Sequence, residues 1–177
     1  MEHLTLSFIA EDYKIAISEI LFAAYKHKCH VQESRLTTLG MNFFGIMHLS
    51  GNWSHIAKLE QALSAYTQGS NPALNIQIKR NKSLKLTGDF LPYIAQVIAL
   101  DTPGLVYQIA HFFSQQDIYI IDLQSDPFKT SHTETMMLTM VLRLNIPAAT
   151  NISNLRENFM ILCDELNIDG IIEPEKR

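Results

Sequence analysis

The sequence predicts an α+β protein built from two consecutive β-α-β-β-α-β modules, and three observations predict it. Apolar residues recur at helical spacing at Ile17, Ile20, Leu21 and Ala24, and again 89 positions on at Val106, Ile109, Ala110 and Phe113. The alternating, strand-like Leu4, Leu6 and Phe8 map by the same offset onto Tyr93, Ala95 and Val97. A second pair of helical patterns, Ile56, Leu59, Leu63, Tyr66 and Ile152, Leu155, Phe159, Leu162, is related by an offset of 96.

Each module therefore opens with a strand and a helix. Two strand-like stretches follow before the second helix: Val31 to Leu39 and Asn42 to Leu49 in the first half, Ile118 to Gln124 and Thr135 to Leu144 in the second. Gly40 supplies the permissive backbone that a tight turn needs, so these stretches read as hairpins. Met136, Leu138, Met140, Leu142 and Leu144 alternate as one face of a strand packed on helices should. The change of offset gives the second module seven extra residues, expected as a longer loop over Ser125 to Thr133 around the turn signal Asp126-Pro127. Short strands at Leu74, Ile76, Ile78 and at Asp169 to Glu173 close the two modules. This is the ferredoxin-like order, in which two helices cover one face of a four-stranded antiparallel sheet. The expected boundaries are a first module over 1–82, a linker over 83–90 and a second module over 91–177. A module of about 85 residues buries only a modest share of its surface, so pairing of the sheets or a homo-oligomer is expected.

The chain has 177 residues, of which 47% are hydrophobic, as a packed globular protein requires. Its net charge of −4 opposes nucleic-acid phosphates. The densest basic stretch, Lys79, Arg80, Lys82 and Lys85, has no interleaved aromatics and reads as a solvated linker, so no direct nucleic-acid contact is expected. Asn42-Phe43-Phe44-Gly45-Ile46 lacks the leading base of an RNA-binding strand and reads as sheet packing. No apolar run approaches the roughly 20 residues of a membrane span, and the first residues lack the pattern of a secretory signal. Cys29 and Cys163 are too far apart to form a ligand or redox spacing, which fits a cytoplasmic setting. His27 and His30 lie where a helix gives way to a strand and read as a helix end rather than a metal site. No nucleophile elbow, phosphate loop or zinc-protease motif occurs, so neither catalysis nor a cofactor is expected.

The most informative segment is Asp101-Thr102-Pro103-Gly104, between the strand ending at Leu100 and the helix beginning near Leu105. Asp101 or Thr102 can cap the helix, Pro103 is tolerated at its first turn, and Gly104 lets a ligand approach the free amides. Those amides can receive a carboxylate, although from spacing alone the turn is equally a plain cap with no ligand.

An Asp-x-Pro-Gly turn between the first strand and helix of such a module resembles the ACT domain, a regulatory module that commonly binds amino acids. The first half is similar to a family built from two such modules, the glycine cleavage system transcriptional repressors. The matching residues are Cys29-His30-Val31-Gln32-Glu33-Ser34-Arg35-Leu36, Leu39-Gly40 and Phe44 to Trp53. The resemblance implies a non-enzymatic regulator that binds a small amino acid, glycine in particular, and acts on a transcriptional activator of the glycine cleavage operon by protein contact. It assigns the ligand loop to Asp101, Thr102, Gly104 and Leu105. Asp122, expected beside the loop on the following strand, would meet the amino group. The first half departs from the pattern: its loop aligns as Asp12-Tyr13-Lys14-Ile15, and a branched Ile where backbone access is needed argues against a ligand there. An interaction module with decayed ligand sites is the alternative. Glu33, Ser34 and Arg35 would face solvent or line an interface, and Trp53 is expected to pack over the start of the second helix.

Overall fold

The alternation of apolar and polar residues in Glu2–Ala10 sets Leu4, Leu6, Phe8 and Ala10 on one buried face, and the rest of the first module assembles on that face. The structure is a computed structural model and describes residues 1–67, 74–81, 88–131 and 133–176. The elements are β1 (Glu2–Ala10), α1 (Tyr13–Lys26), β2 (His30–Leu39), β3 (Asn42–Gly51), α2 (Trp53–Thr67), β4 (Leu74–Asn81), β5 (Phe90–Leu100), α3 (Leu105–Gln115), β6 (Tyr119–Lys129), β7 (Met136–Pro147), α4 (Ile152–Leu166) and β8 (Asp169–Pro174). They form two antiparallel sheets of identical topology, β2-β3-β1-β4 and β6-β7-β5-β8. The chain divides into two compact units, Met1–Leu86 and Thr87–Arg177. Of the linker expected at 83–90, residues 83–87 lie outside the described residues. Asp89 belongs with the second unit, where its carbonyl accepts from the Ala148 amide.

Each unit has its own core. In the first, Ala16, Ile20 and Ala24 of α1 and Ile56, Leu59 and Leu63 of α2 pack on β1, β3 and β4. In the second, Leu105, Ile109 and Phe113 of α3 and Leu155, Phe159 and Cys163 of α4 pack on Ala95, Val97, Ala99 and the alternate residues of β7. Phe112, Phe113 and Phe159 form an aromatic triangle with ring centroids 5.1 to 5.6 Å apart. Burying Phe113 and Phe159 contributes on the order of 2 to 3 kcal/mol each, while Phe112 is only partly buried.

The duplication extends to an irregularity. The pairing of β2 with β3 shifts register between Val31 and Glu33, and that of β6 with β7 shifts between Ile120 and Asp122, 89 residues later in each case. The residue extruded in the first unit, Gln32, turns its amide to donate to Ser50 Oγ at 2.7 Å, which satisfies a hydroxyl with no solvent exposure.

Three expectations are corrected. The extra residues of the second module lengthen the hairpin: Ser125 to Lys129 continue β6, paired with Met140 to Met136, and beyond them the Thr130 amide donates to the Thr135 carbonyl at 3.1 Å. Pro127 fits within β6 because β6 is an edge strand, where a missing N–H costs no ladder bond on the outer side. Trp53 does not pack over α2; as its first residue it is 66% exposed. Lys79 and Arg80 belong to β4 rather than to a linker, and Arg80 donates to Glu60 of α2 at 2.6 Å; Lys82 and Lys85 lie outside the described residues.

Candidate functional site

The loop after β5 ends in a helix start unlike the others described. Asp12 caps α1, its carboxylate accepting from the Lys14 amide at 2.8 Å. Asn52 caps α2 through the His55 amide, and Asn151 caps α4 through the amides of Ser153 and Asn154. At α3 the capping position falls to Gly104, with φ of 92° and no side-chain hydrogen bond. Neither Asp101 nor Thr102 caps the helix, contrary to the reading from sequence. The left-handed turn at Gly104, a conformation glycine adopts at little cost, starts the helix three residues later than Asp101 would allow.

The remaining hydrogen bonds hold the loop in place. The Asp101 amide donates to the Met136 carbonyl at 3.0 Å, the Leu105 amide to the Thr102 carbonyl at 3.3 Å, and the Gln108 amide closes the first helical turn on Gly104 at 3.0 Å. Among the described residues, the amides of Val106 and Tyr107 have no acceptor, as expected for the first turn of a helix without a side-chain cap. Asp101, Thr102, Pro103 and Gly104 are exposed and Leu105 is buried, so the loop is anchored below and open above. No heavy atom lies within 4 Å of where a Cβ on Gly104 would stand. Two partial positive charges of the helix dipole thus face an accessible surface, an arrangement suited to a carboxylate.

Asp122 is not brought to this loop. It pairs in register with Arg143, which pairs with Ile94, six residues before Leu100 on β5. At roughly 3.4 Å per residue this is about 20 Å from the loop. The reason is direction: β6 runs the same way as β5, so its beginning lies at the far end of the sheet from the loop. Register also places Asp122 with Ile94 and Arg143, on the face turned away from the helices. There it accepts from Gln124 Nε2 at 3.3 Å, while Arg143 pairs with Glu175 at 2.7 Å. The residue of β6 level with the loop is Lys129, opposite Met136, whose carbonyl holds the Asp101 amide. Counting hairpin register through Pro127 as strand would have pointed to it.

In the first unit, an open groove of about 580 Å³ lies between α2 and β4, with Ile76 and Ile78 as its apolar lining and Glu60, Ser64 and Gln77 around them. Among the described residues no group of three His, Cys, Asp or Glu side chains could hold a metal ion, and no helix is long and apolar enough to cross a membrane.

No family model matches the chain. It is 29% identical over 144 residues to the glycine cleavage system transcriptional repressor of Escherichia coli (strain K12), covering 81% of this chain and 75% of that protein. The protein of the same description from Shigella flexneri matches to the same extent. A solved structure provisionally described as a glycine cleavage system transcriptional repressor superposes with a TM-score of 0.72 at 22% identity, covering 99% of this chain and 98% of that one. An unassigned protein from Galdieria sulphuraria superposes with a TM-score of 0.79 at 19% identity, covering 99% of both. These two likenesses extend the tandem fold across nearly the whole chain. The chain is built from two consecutive β-α-β-β-α-β modules and is similar in sequence and in fold to the glycine cleavage system transcriptional repressor.

Proposed function

We propose that the chain is a non-enzymatic cytoplasmic regulator that binds a small amino acid, glycine in the first instance, at the head of α3. Through protein contact, and as a homo-oligomer, it adjusts the activity of a transcriptional activator of the glycine cleavage system. The observation that carries this reading is the uncapped start of α3 at Gly104, in a chain similar over 81% of its length to a glycine cleavage system transcriptional repressor. The amides of Val106 and Tyr107 would take the ligand carboxylate, Asp101 and Thr102 would line its approach, and Lys129 would add a positive charge at the same level of the sheet. Leu105 anchors the turn in the core. Asp122 acts in this reading only through the sheet face it shares with Arg143. Regulation requires that the ligand favour one of two states of the complex with the activator.

Calorimetric titration of the whole protein with glycine and the other small amino acids tests the first half of the reading. Saturable heat with one of them, lost in Gly104→Val, is the expected result. Co-purification with the activator, with and without that amino acid, tests the second half.

A second reading is favoured by a different observation: Asp12 already occupies the Lys14 amide at the head of α1. The first module would then serve only as a protein contact, and a chain that held the activator without responding to any amino acid would extend that role to both modules.

A further inference from the structure

We propose that His3 and His48 form a two-imidazole seat for a borderline divalent cation such as Zn²⁺ or Co²⁺ on the face of the first sheet turned away from its helices. β1 and β3 pair with Thr5 opposite His48 and His3 opposite Ser50. His3 and His48 are therefore diagonal neighbours on one face, within reach of each other. Both are half-buried.

His48 Nε2 stands 3.2 Å from His3 Nδ1, His48 Nδ1 stands 3.1 Å from Thr5 Oγ1, and the two rings are within 11° of parallel. In the metal-free protein one imidazole N–H donates to the other ring. The same atoms support a second proton arrangement. When His48 carries its proton on Nδ1 it donates to Thr5 Oγ1, and when His3 carries its proton on Nε2 its Nδ1 is a lone pair. Two lone pairs then stand 3.2 Å apart. Both rings are neutral in either arrangement, so no net proton is gained or lost.

That separation matches a metal. Two nitrogen ligands on a tetrahedral cation, each about 2.05 Å from it, are about 3.3 Å apart. To meet at a shared tetrahedral ion, each lone pair swings about 35° off the line that joins the two nitrogens, which the rings reach by turning about their side-chain bonds. Imidazole suits zinc and its neighbours, and a ligating histidine characteristically donates its other N–H to an outer partner, the part Thr5 fills.

The neighbours define the strength of the seat. Glu33 faces His48 across β2 and β3 and contributes a negative charge to the same face, while pairing with Arg35 at 3.5 Å. Arg35, opposite Ile46, and Lys79, opposite Thr5, oppose a cation. Since no third protein ligand joins the pair among the described residues, water completes the coordination and the ion exchanges readily. The second module has no such seat: register puts Ile94 and Arg143 where the first has Thr5 and His48.

The test is titration of the whole protein, free of any histidine tag, with ZnCl₂ by calorimetry and with CoCl₂ by visible absorption. The expected result is saturable binding, weakened about tenfold or more by His48→Gln and by His3→Gln and less by Thr5→Val, with His111→Gln unchanged. Each variant is checked by its thermal unfolding curve; if His48→Gln does not fold, His3→Gln decides. Absence of saturable binding to the native chain at millimolar zinc, or binding undiminished in the folded histidine variants, overturns the proposal.

Discussion

Asp12 and Asp101 stand at the same point of the duplicated module, just after the first strand, yet only Asp12 caps the helix that follows. The first helix of the first module starts at Tyr13 directly after its cap, whereas that of the second starts at Leu105 after a glycine turn. One fold thus presents the same helix end in two chemical states, closed by its own carboxylate in one copy and without a side-chain cap in the other.

Asp12→Ala removes a cap whose loss costs about 1 kcal/mol. Denaturant unfolding of the whole protein should show this as an earlier loss of structure, while any amino-acid response at α3 should be unchanged. A response that disappeared together with the cap would move the ligand to the first module.

At Gly104 the cost of a side chain comes from the backbone alone, because no heavy atom lies within 4 Å of the added Cβ and only the φ of 92° is unfavourable. Gly104→Ala should therefore fold, with about 1 kcal/mol of lost stability, and should lose its amino-acid response. Retention of the full response, read by glycine titration, would remove this turn from the binding site.

Gly45 presents the opposite case. A Cβ there would stand 2.2 Å from Phe8 Cε1 and 2.7 Å from Leu36 Cδ2, in the middle of the first sheet. Gly45→Ala should cost roughly 3 kcal/mol through overpacking, measured as a shift in the unfolding transition. A near-native transition would mean that the Phe8 ring turns aside freely.

Alkaline pH should weaken the fold. Burial holds the thiols of Cys29 and Cys163 above their ordinary value of 9.0, with the charges of Asp164 and Asp169 adding to the effect at Cys163. Burial, and then the hydrogen bond and charge of Glu19, raises Tyr66 above 10.0. For acids raised in the folded state the stabilisation is complete below the unfolded value and is lost as pH rises through the folded one, so stability should decline from about pH 9 upward. Denaturant midpoints at pH 8 and pH 10 check the sign, and Cys163→Ala should reduce the difference.

The core was legible because its periods are unambiguous: Ile56, Leu59 and Leu63, or Leu138 through Leu144, can be buried together only as a helix face and a strand face. The helix-one pattern was less so, since Leu21 fits the spacing yet is 38% exposed while Ala16, outside the chosen set, is buried. The loop at Asp101 to Gly104 was legible as a turn, but which residue caps it depends on the sign of one φ, which spacing does not determine. The place of Asp122 follows from the β-α-β-β-α-β order itself, which runs β6 parallel to β5 and so puts the start of β6 at the far end of the sheet from the loop. Lys129 was hidden by Pro127, which reads as a loop unless the strand is known to be an edge. His3 and His48 are 45 residues apart, and only the register of β1 on β3 joins them.

Pro127 carries a further consequence at that edge. An exposed strand as long as β6, 11 residues, is a template on which another chain could extend the sheet. At Pro127 there is no amide hydrogen to offer an incoming strand. The lengthened hairpin therefore carries its own safeguard against misassembly. A Pro127→Val substitution would restore an uninterrupted edge, and light scattering should show it forming assemblies larger than those of the native chain.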